Sequence, residues 1–356
     1  MRWSYDLSGK LIYLKHMIGI NFSPWYCEQL ELDPWDTFIN LLNNLNPDIV
    51  RLSAYWNRIQ PAENIYEFDE LEKYIAELNK RNIKIVLTVG INAQRWPEFF
   101  IPAWLLKNID SPKNFQIELN KPGSIIQNYL LKFITQTVKK FDSKIDYWQI
   151  ENEPFQQSFP LNFAISKDFL LHEIITAKTL STKPIVLNES IALNKLFAFL
   201  KTFSKTFGLI KSVEGLSDIF AANIYVRASF NIFGIKTNFK QNGYPDLPKN
   251  VKKVAITEVQ SEPWPLPKLS SHVIKKELWE LIKLGDWKAI AKESKDYGIL
   301  ATSVDKADSS MMNEAWNAVS KINNWEFILF WGSEYWWARY LKGDEEWIAK
   351  YLLIKS

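Results

Sequence analysis

Two glutamates stand where apolar runs give way to polar residues: Glu153 in Ile150-Glu151-Asn152-Glu153-Pro154, and Glu258 in Thr257-Glu258-Val259-Gln260. Two carboxyl groups facing each other are what glycoside hydrolysis needs. One protonates the leaving oxygen, while the other attacks the sugar or activates water. Glu151 competes with Glu153: side chains two apart on an extended segment lie on the same side, so alternation does not choose between them. Other chemistries lack a comparable signal. His16, His172, His272 and the single Cys27 are scattered without metal-ligand spacing. No Gly-x-Ser-x-Gly elbow supplies a serine nucleophile. The expectation is a site that uses neither metal nor cofactor.

For Glu153 and Glu258 to face each other, two distant strand ends must come together. Eight short apolar runs have the length and flanking turn residues of buried parallel strands: 17–22, 49–55, 84–90, 146–154, 184–190, 219–225, 254–260 and 327–332. Segments of helical period lie between most of them. Phe68, Leu71, Tyr74, Ile75 and Leu78 share one face after the second run, and Ile125, Ile126, Tyr129, Leu130, Phe133 and Val138 do so before the fourth. Alternating strand and helix predict an α/β fold. Eight strands without a composition break predict a single (β/α)8 TIM barrel over residues 1–356. A doubly wound sheet is the competitor, but no glycine-rich phosphate loop follows the first run. In a barrel the C-terminal strand ends converge, and strands four and seven lie on opposite sides of the mouth. Two connections are enlarged: 226–252 after the sixth strand, with weak helical period, and 261–326 after the seventh, with a helical insertion at about 265–300.

Composition narrows the partners. The chain has 356 residues, 47% hydrophobic and 23% charged, with 12 Gly, 16 Pro and 1 Cys, which excludes disordered, collagenous and disulfide-dense classes. A net charge of +3, from 43 Lys+Arg against 40 Asp+Glu, is too balanced to suggest nucleic acid. No stretch reaches the roughly 18 apolar residues of a membrane span. The first residues carry no export signal, so the chain reads as cytoplasmic as written, with secretion open if its N-terminus is truncated. Aromatic residues make up 15% (16 Trp, 22 Phe, 14 Tyr), enough to furnish flat apolar platforms in a cleft as well as a core.

Asn152-Glu153-Pro154 after the fourth run, with Glu258 ending the seventh, resembles the clan of retaining (β/α)8 glycoside hydrolases (clan-A type) that includes cellulases, mannanases and β-galactosidases. The chain is more closely similar to a cellulase-like bacterial glycoside hydrolase group, through five blocks in order. These are Arg51-Leu52-Ser53-Ala54-Tyr55-Trp56-Asn57-Arg58-Ile59, Arg95-Trp96-Pro97-Glu98, Trp148 to Phe155, Glu258-Val259-Gln260-Ser261-Glu262-Pro263-Trp264, and Trp331-Gly332-Ser333-Glu334-Tyr335-Trp336-Trp337. The resemblance covers about residues 17 to 350. It implies a retaining β-glycosidase that acts through a covalent glycosyl-enzyme on an oligosaccharide or polysaccharide. It makes Glu153 the acid/base and Glu258 the nucleophile. Asn152 would hydrogen-bond the sugar 2-hydroxyl, Arg51 would sit beneath Glu258 and hold it ionised, and Tyr225 would donate its hydroxyl to the same carboxylate. Glu153 must keep its proton near neutral pH, so a more apolar or more anionic setting is expected around it.

Trp331 ends the eighth run, where its indole could floor the sugar ring beside the nucleophile. Trp96, Trp264 and Trp336, with Trp56 and Trp337, are further candidates for the cleft surface. Glu98 and Glu262 also follow strand ends, to bind hydroxyls or to pair with Arg95. Many clan members carry a histidine on the third or fourth strand or beside the sixth-strand tyrosine. None stands there in this chain, so hydroxyl recognition falls to groups such as Asn92, Gln94, Asn188 or Asn223. A transglycosylase would use the same residues, and a non-catalytic carbohydrate-binding barrel is the competitor that has no need of both carboxylates.

Overall fold

The structure is a computed structural model that describes residues 3–5, 11–13, 16–156, 160–190, 215, 217–232, 235–240, 253–263, 268–300, 308–320 and 325–356. β1 (Trp3–Tyr5) and β2 (Leu11–Tyr13) form an antiparallel pair ahead of the main sheet. All eight predicted runs then become strands: β3 (Met17–Asn21), β4 (Ile49–Ser53), β5 (Lys84–Val89), β6 (Tyr147–Ile150), β7 (Ile185–Ser190), β8 (Ile219–Ile224), β11 (Lys253–Gln260) and β12 (Trp325–Trp331). They close a parallel barrel in chain order, β12 pairing with β3. With helices between strands, this is the (β/α)8 architecture.

Strand alternation stratifies the barrel interior. Ile49, Val86, Tyr147, Val186, Ile219, Ala221, Ala255, Phe327 and Leu329 pack together inside it. Two residues further along, on the same face, come Arg51, Thr88, Gln149, Asn188, Asn223, Thr257 and Trp331. An apolar layer therefore lies beneath a polar one at the C-terminal end of the strands.

The helices outside follow their apolar stripes. Asp69–Lys80 buries Leu71, Tyr74, Ile75 and Leu78 against the barrel. Ile125–Phe141 begins at Ser124, whose side chain accepts from the Gln127 amide, and buries Ile126, Leu130, Phe133, Ile134 and Val138. Ile125, expected on that face, is 60% exposed: as the first helical residue it lies about 100° around the axis from Ile126, off the stripe.

The two long connections differ in kind. The weak helical period of 226–252 gives way, over its described part, to an antiparallel hairpin of β9 (Arg227–Ile232) and β10 (Ile235–Lys240). The register pairs Ile232 with Ile235, Phe230 with Thr237 and Ala228 with Phe239. Apolar residues thus recur every second position, which suits a strand better than a helix. The insertion after β11 holds two helices, Ser271–Leu284 and Trp287–Asp296. Gly285, at φ 69, ends the first, and the Asp286 side chain caps the second. Its aromatics reach the loops after β3 and β5: Trp287 stacks on Phe100 and meets Trp25 edge-on, and Tyr297 meets Trp96. Among the described residues no helix is long and apolar enough to cross a membrane.

β4 leaves no room for a side chain at Gly19 of β3, where an added Cβ would lie 1.8 Å from the Ile49 carbonyl oxygen. Backbone cannot yield as a side-chain tip can. Gly19→Ala should therefore destabilise the barrel by at least about 1–3 kcal/mol, measured as a fall in the urea unfolding midpoint.

Candidate active site

Arg51 occupies the centre of the polar layer and is fully buried. Its guanidinium donates in four directions: Nε to Thr88 Oγ1 (3.1 Å), Nη1 to Asn21 Oδ1 (3.2 Å) and Glu258 Oε1 (2.8 Å), and Nη2 to Asn152 Oδ1 (2.7 Å). Four barrel strands and the turn after β6 thus meet at one cation. The planar fork of arginine suits this, since a lysine ammonium could not hold these acceptors in one plane.

Glu258 reaches this centre because β11 is irregular. Ala255 points inward, so strict alternation would send Thr257 inward and Glu258 out. The pairing with β8 shifts between Ile256 and Glu258, so Ile256 partners Ala222 and Glu258 partners Asn223. The extra residue is a β-bulge that presents both Thr257 and Glu258 to the interior. Thr257 Oγ1 donates to Asn223 Oδ1 at 2.6 Å, and the Tyr225 hydroxyl donates to Glu258 Oε2 at 2.5 Å. Glu258 is thereby held on one oxygen by a cation and on the other by a phenol.

Glu153 lies beyond the end of β6, in a left-handed conformation with φ 47. Glu151, also left-handed at φ 60, turns away to the loop after β5. The chain has left the strand by then, so the parity that equated the two glutamates no longer applies. Asn223 Nδ2 donates to Glu153 Oε1 at 2.6 Å, and the Glu153 amide donates to Asn188 Oδ1 at 3.0 Å. Burial raises the Glu153 pKa well above the usual carboxylate range, and the charges of Glu258, Glu98 and Glu189 raise it further. Its setting is both buried and anionic. Glu189 itself is pushed up to about 8 by burial, although its carboxyl accepts from the Phe155 amide.

Asn152 sits between the two glutamates in the network. Its Oδ1 accepts from Arg51 and from Asn188 Nδ2 (2.9 Å), which leaves its own Nδ2 as the donor for a ligand. Asn92, Asn188 and Asn223, expected to read hydroxyls, are instead engaged in holding Asn152 and Glu153, and Gln94 Nε2 donates to the Phe22 carbonyl.

Trp331 ends β12, half-buried, with the Arg95 guanidinium 3.7 Å from its ring centroid. Tyr26 lies 3.6 Å from the same guanidinium. Arg95 is clamped by Glu262 Oε1 (2.5 Å) and Glu334 Oε2 (2.8 Å). That separates the two acids left open in the sequence: Glu262 pairs with Arg95, whereas Glu98 acts electrostatically on Glu153 and Tyr225. Glu334, quoted in the last block without a role, and Tyr26, in the helix Pro24–Gln29, join this cluster through Arg95, a long-range pairing that has no signature in the sequence.

Trp96 is half-buried in the β5 loop, its carbonyl accepting from Trp25 Nε1. Trp336, expected at the cleft, is a core residue. It is fully buried in the helix Ser333–Tyr340, packs on Phe330 and Tyr351, and donates its indole N–H to the Ser261 carbonyl at 2.7 Å. A helix that follows a strand end turns its apolar face back onto the barrel, which the position alone did not reveal. Trp56 is likewise core, stacked on Phe133. Trp264 lies outside the described residues.

Fold and site together define a (β/α)8 barrel with two carboxyl groups in contrasting environments at the C-terminal mouth. Comparison with known proteins agrees. Residues 24–159 match the family described as beta-galactosidase, glycoside hydrolase family 42. The beta-galactosidase BgaA of Clostridium cellulovorans is 23% identical over 154 residues, which are 38% of this chain and 21% of that protein. The chain therefore spans about a fifth of the length of that curated relative. The structure of the hyperthermophilic beta-glucosidase of Pyrococcus furiosus is similar with a TM-score of 0.50 at 14% identity, over 90% of this chain and 87% of that one. A hyperthermophilic beta-glucosidase mutant that forms a dodecamer in the crystal gives 0.50 at 12%, over 90% and 91%. These two likenesses are of fold. They show the (β/α)8 barrel, and the family match is confined to residues 24–159.

Arg95→Met would remove the cation that Glu262 and Glu334 share in a buried site. Unpairing buried charges costs about 3–5 kcal/mol, so urea unfolding at pH 7 should show a loss of that order. Glu262 is already raised to about 6 by burial, so acid neutralises it readily. The loss should therefore shrink at pH 5, and tryptophan fluorescence should report a displaced Trp331.

Proposed function

We propose that the chain is one catalytic domain, a retaining β-glycosidase in which Glu258 is the nucleophile and Glu153 the acid/base. The observation that carries this reading is the contrast between the two carboxyls. Glu258 has Arg51 and Tyr225 on its oxygens, whereas Glu153 has burial and three neighbouring carboxyls that favour its protonated form. A nucleophile must be charged, and an acid must hold its proton at working pH.

In the first step Glu258 attacks the anomeric carbon, forming a glycosyl ester, while Glu153 passes its proton to the departing oxygen. The newly charged Glu153 then takes a proton from water, and that water releases the sugar. Asn152 Nδ2 is the group placed to meet the 2-hydroxyl, because Arg51 and Asn188 hold its oxygen. Trp331, backed by Arg95, offers its second face as the floor for the ring. The family match over residues 24–159 makes β-galactosides the first substrates to try.

Glu258→Gln should abolish turnover of aryl β-glycosides. Glu153→Gln should lose about 10²–10⁴-fold in kcat/KM with poor leaving groups and far less with dinitrophenyl glycosides, which need little protonation. Proton NMR of the first-formed sugar should show the β-anomer, and an α-anomer overturns the nucleophile assignment. Glu98 contributes to the raised pKa of Glu153, so Glu98→Gln should lower it. The alkaline limb of kcat/KM would then move to lower pH, and an unmoved limb counts against Glu153 as the acid.

A further inference from the structure

Glu151 and Glu173 have no part in that chemistry, yet both are completely buried. Glu173 lies on the inward face of the helix Lys167–Leu180, with Phe169, Leu170, Ile174 and Ala177. A carboxyl group in such a setting is costly unless something satisfies it. The Glu151 carboxylate accepts the backbone N–H groups of Ile91 (2.8 Å) and Asn92 (2.6 Å). Among the described residues no donor reaches either oxygen of Glu173, and the group that acts on its carboxyl is that of Glu151. Two acceptors face each other in a dry interior only with a proton between them.

What this pair grips is the turn that carries the site. Glu151 N donates to Val89 O (3.0 Å), Asn152 N donates to Asn92 O (3.0 Å), and Asn92 Nδ2 donates back to the Asn152 carbonyl. The ends of β5 and β6 are thus stitched together through Glu151. One end continues into Asn152-Glu153, the other into Arg95 and Trp96. Gly90 leaves room for this: a Cβ there would lie 2.2 Å from the Glu151 carboxyl carbon.

We propose that Glu151 and Glu173 share one proton and act as a clamp, with Glu173 a positioning residue that orients Asn152-Glu153 and the loop 91–98. The positioning role rests on Glu153 being the acid, whereas the shared proton does not. Burial raises Glu151 to about 7 and Glu173 well above the carboxylate range. Among the described residues, the groups that act on Glu151 are Glu173 and the amides of Ile91 and Asn92, and Glu173 is acted on by Glu151 alone. Folding therefore raises these pKa values. The stabilisation is complete below the unfolded value of about 4.3 and is lost as pH rises through the folded one.

Glu173→Gln and Glu173→Leu test the clamp in the full chain. A glutamine amide donates to Glu151 at any pH, so Glu173→Gln should melt with the wild type at pH 5 and above it at pH 9. A Glu173→Gln melting curve parallel to the wild type's from pH 5 to 9 overturns the shared proton, whatever the enzyme's activity. On an aryl β-glycoside that the wild type cleaves, Glu173→Leu should lose about 10- to 100-fold in kcat with KM little changed, because a slightly misplaced group is enough to do so. Glu173→Gln should restore it. Equal kcat in Glu173→Leu and wild type overturns the positioning role. A wild type inactive on every β-glycoside sinks the proposed function but leaves the melting comparison standing.

Discussion

The four-way hydrogen bonding of Arg51 is the constraint on which the site depends. A fully buried guanidinium is tolerable only when its donors are met and a carboxylate balances its charge. Thr88, Asn21, Asn152 and Glu258 meet those conditions, and each comes from a different stretch of chain. The same bonds place Glu258 in the mouth and set which atom of Asn152 faces outward. Positioning and charge balance are therefore one requirement, satisfied at the layer where the barrel interior turns from apolar to polar.

That layer explains why so much of the fold is legible in the sequence. Buried parallel strands read as apolar runs, and their spacing by helical segments implies chain-order pairing, so all eight strands and the closed barrel follow from pattern alone. Ile49 to Arg51, Val86 to Thr88 and Val186 to Asn188 each repeat the step from core to site on one face. The hairpin of β9 and β10 was harder to read, because a short segment with alternate apolar residues also fits a weak helical period. Ile125 shows the same limit at a helix end, where one residue's offset turns a side chain from core to solvent.

The site was legible by residue type more than by geometry. Glu258 faces inward only through a bulge, which no alternation rule anticipates, and simple parity on β11 would have rejected it. Glu151 and Glu153 are equivalent by parity but diverge, because both adopt left-handed backbone beyond the strand. That conformation is sterically disfavoured for a residue with a Cβ, and here the surrounding bonds to Val89, Asn92 and Asn188 hold it. Trp336 errs the other way, since its place after a strand end suggested a cleft while the packing of its helix made it core. Long-range partners such as Glu334 and Arg95, 239 positions apart, have no signature short of the fold itself.

Among the described residues the buried charged side chains are Arg51 and Arg95 against Glu151, Glu153, Glu173, Glu189, Glu258, Glu262 and Glu334. Two cations cannot neutralise seven acids in a low-dielectric interior, so some of those carboxyls must be neutral near pH 7. The structure divides them by partner. Glu258, Glu262 and Glu334 face guanidinium groups. Glu151 accepts backbone amides and faces Glu173, while among the described residues the Glu153 carboxyl accepts from the Asn223 side-chain amide, the Glu189 carboxyl from the Phe155 N–H, and neither pairs with a cation. A surplus of acid over base thus keeps a proton close to Glu153 without a dedicated donor beside it. Adding a third buried cation near β6 would pair one more carboxylate and, by the same electrostatics, draw that proton away.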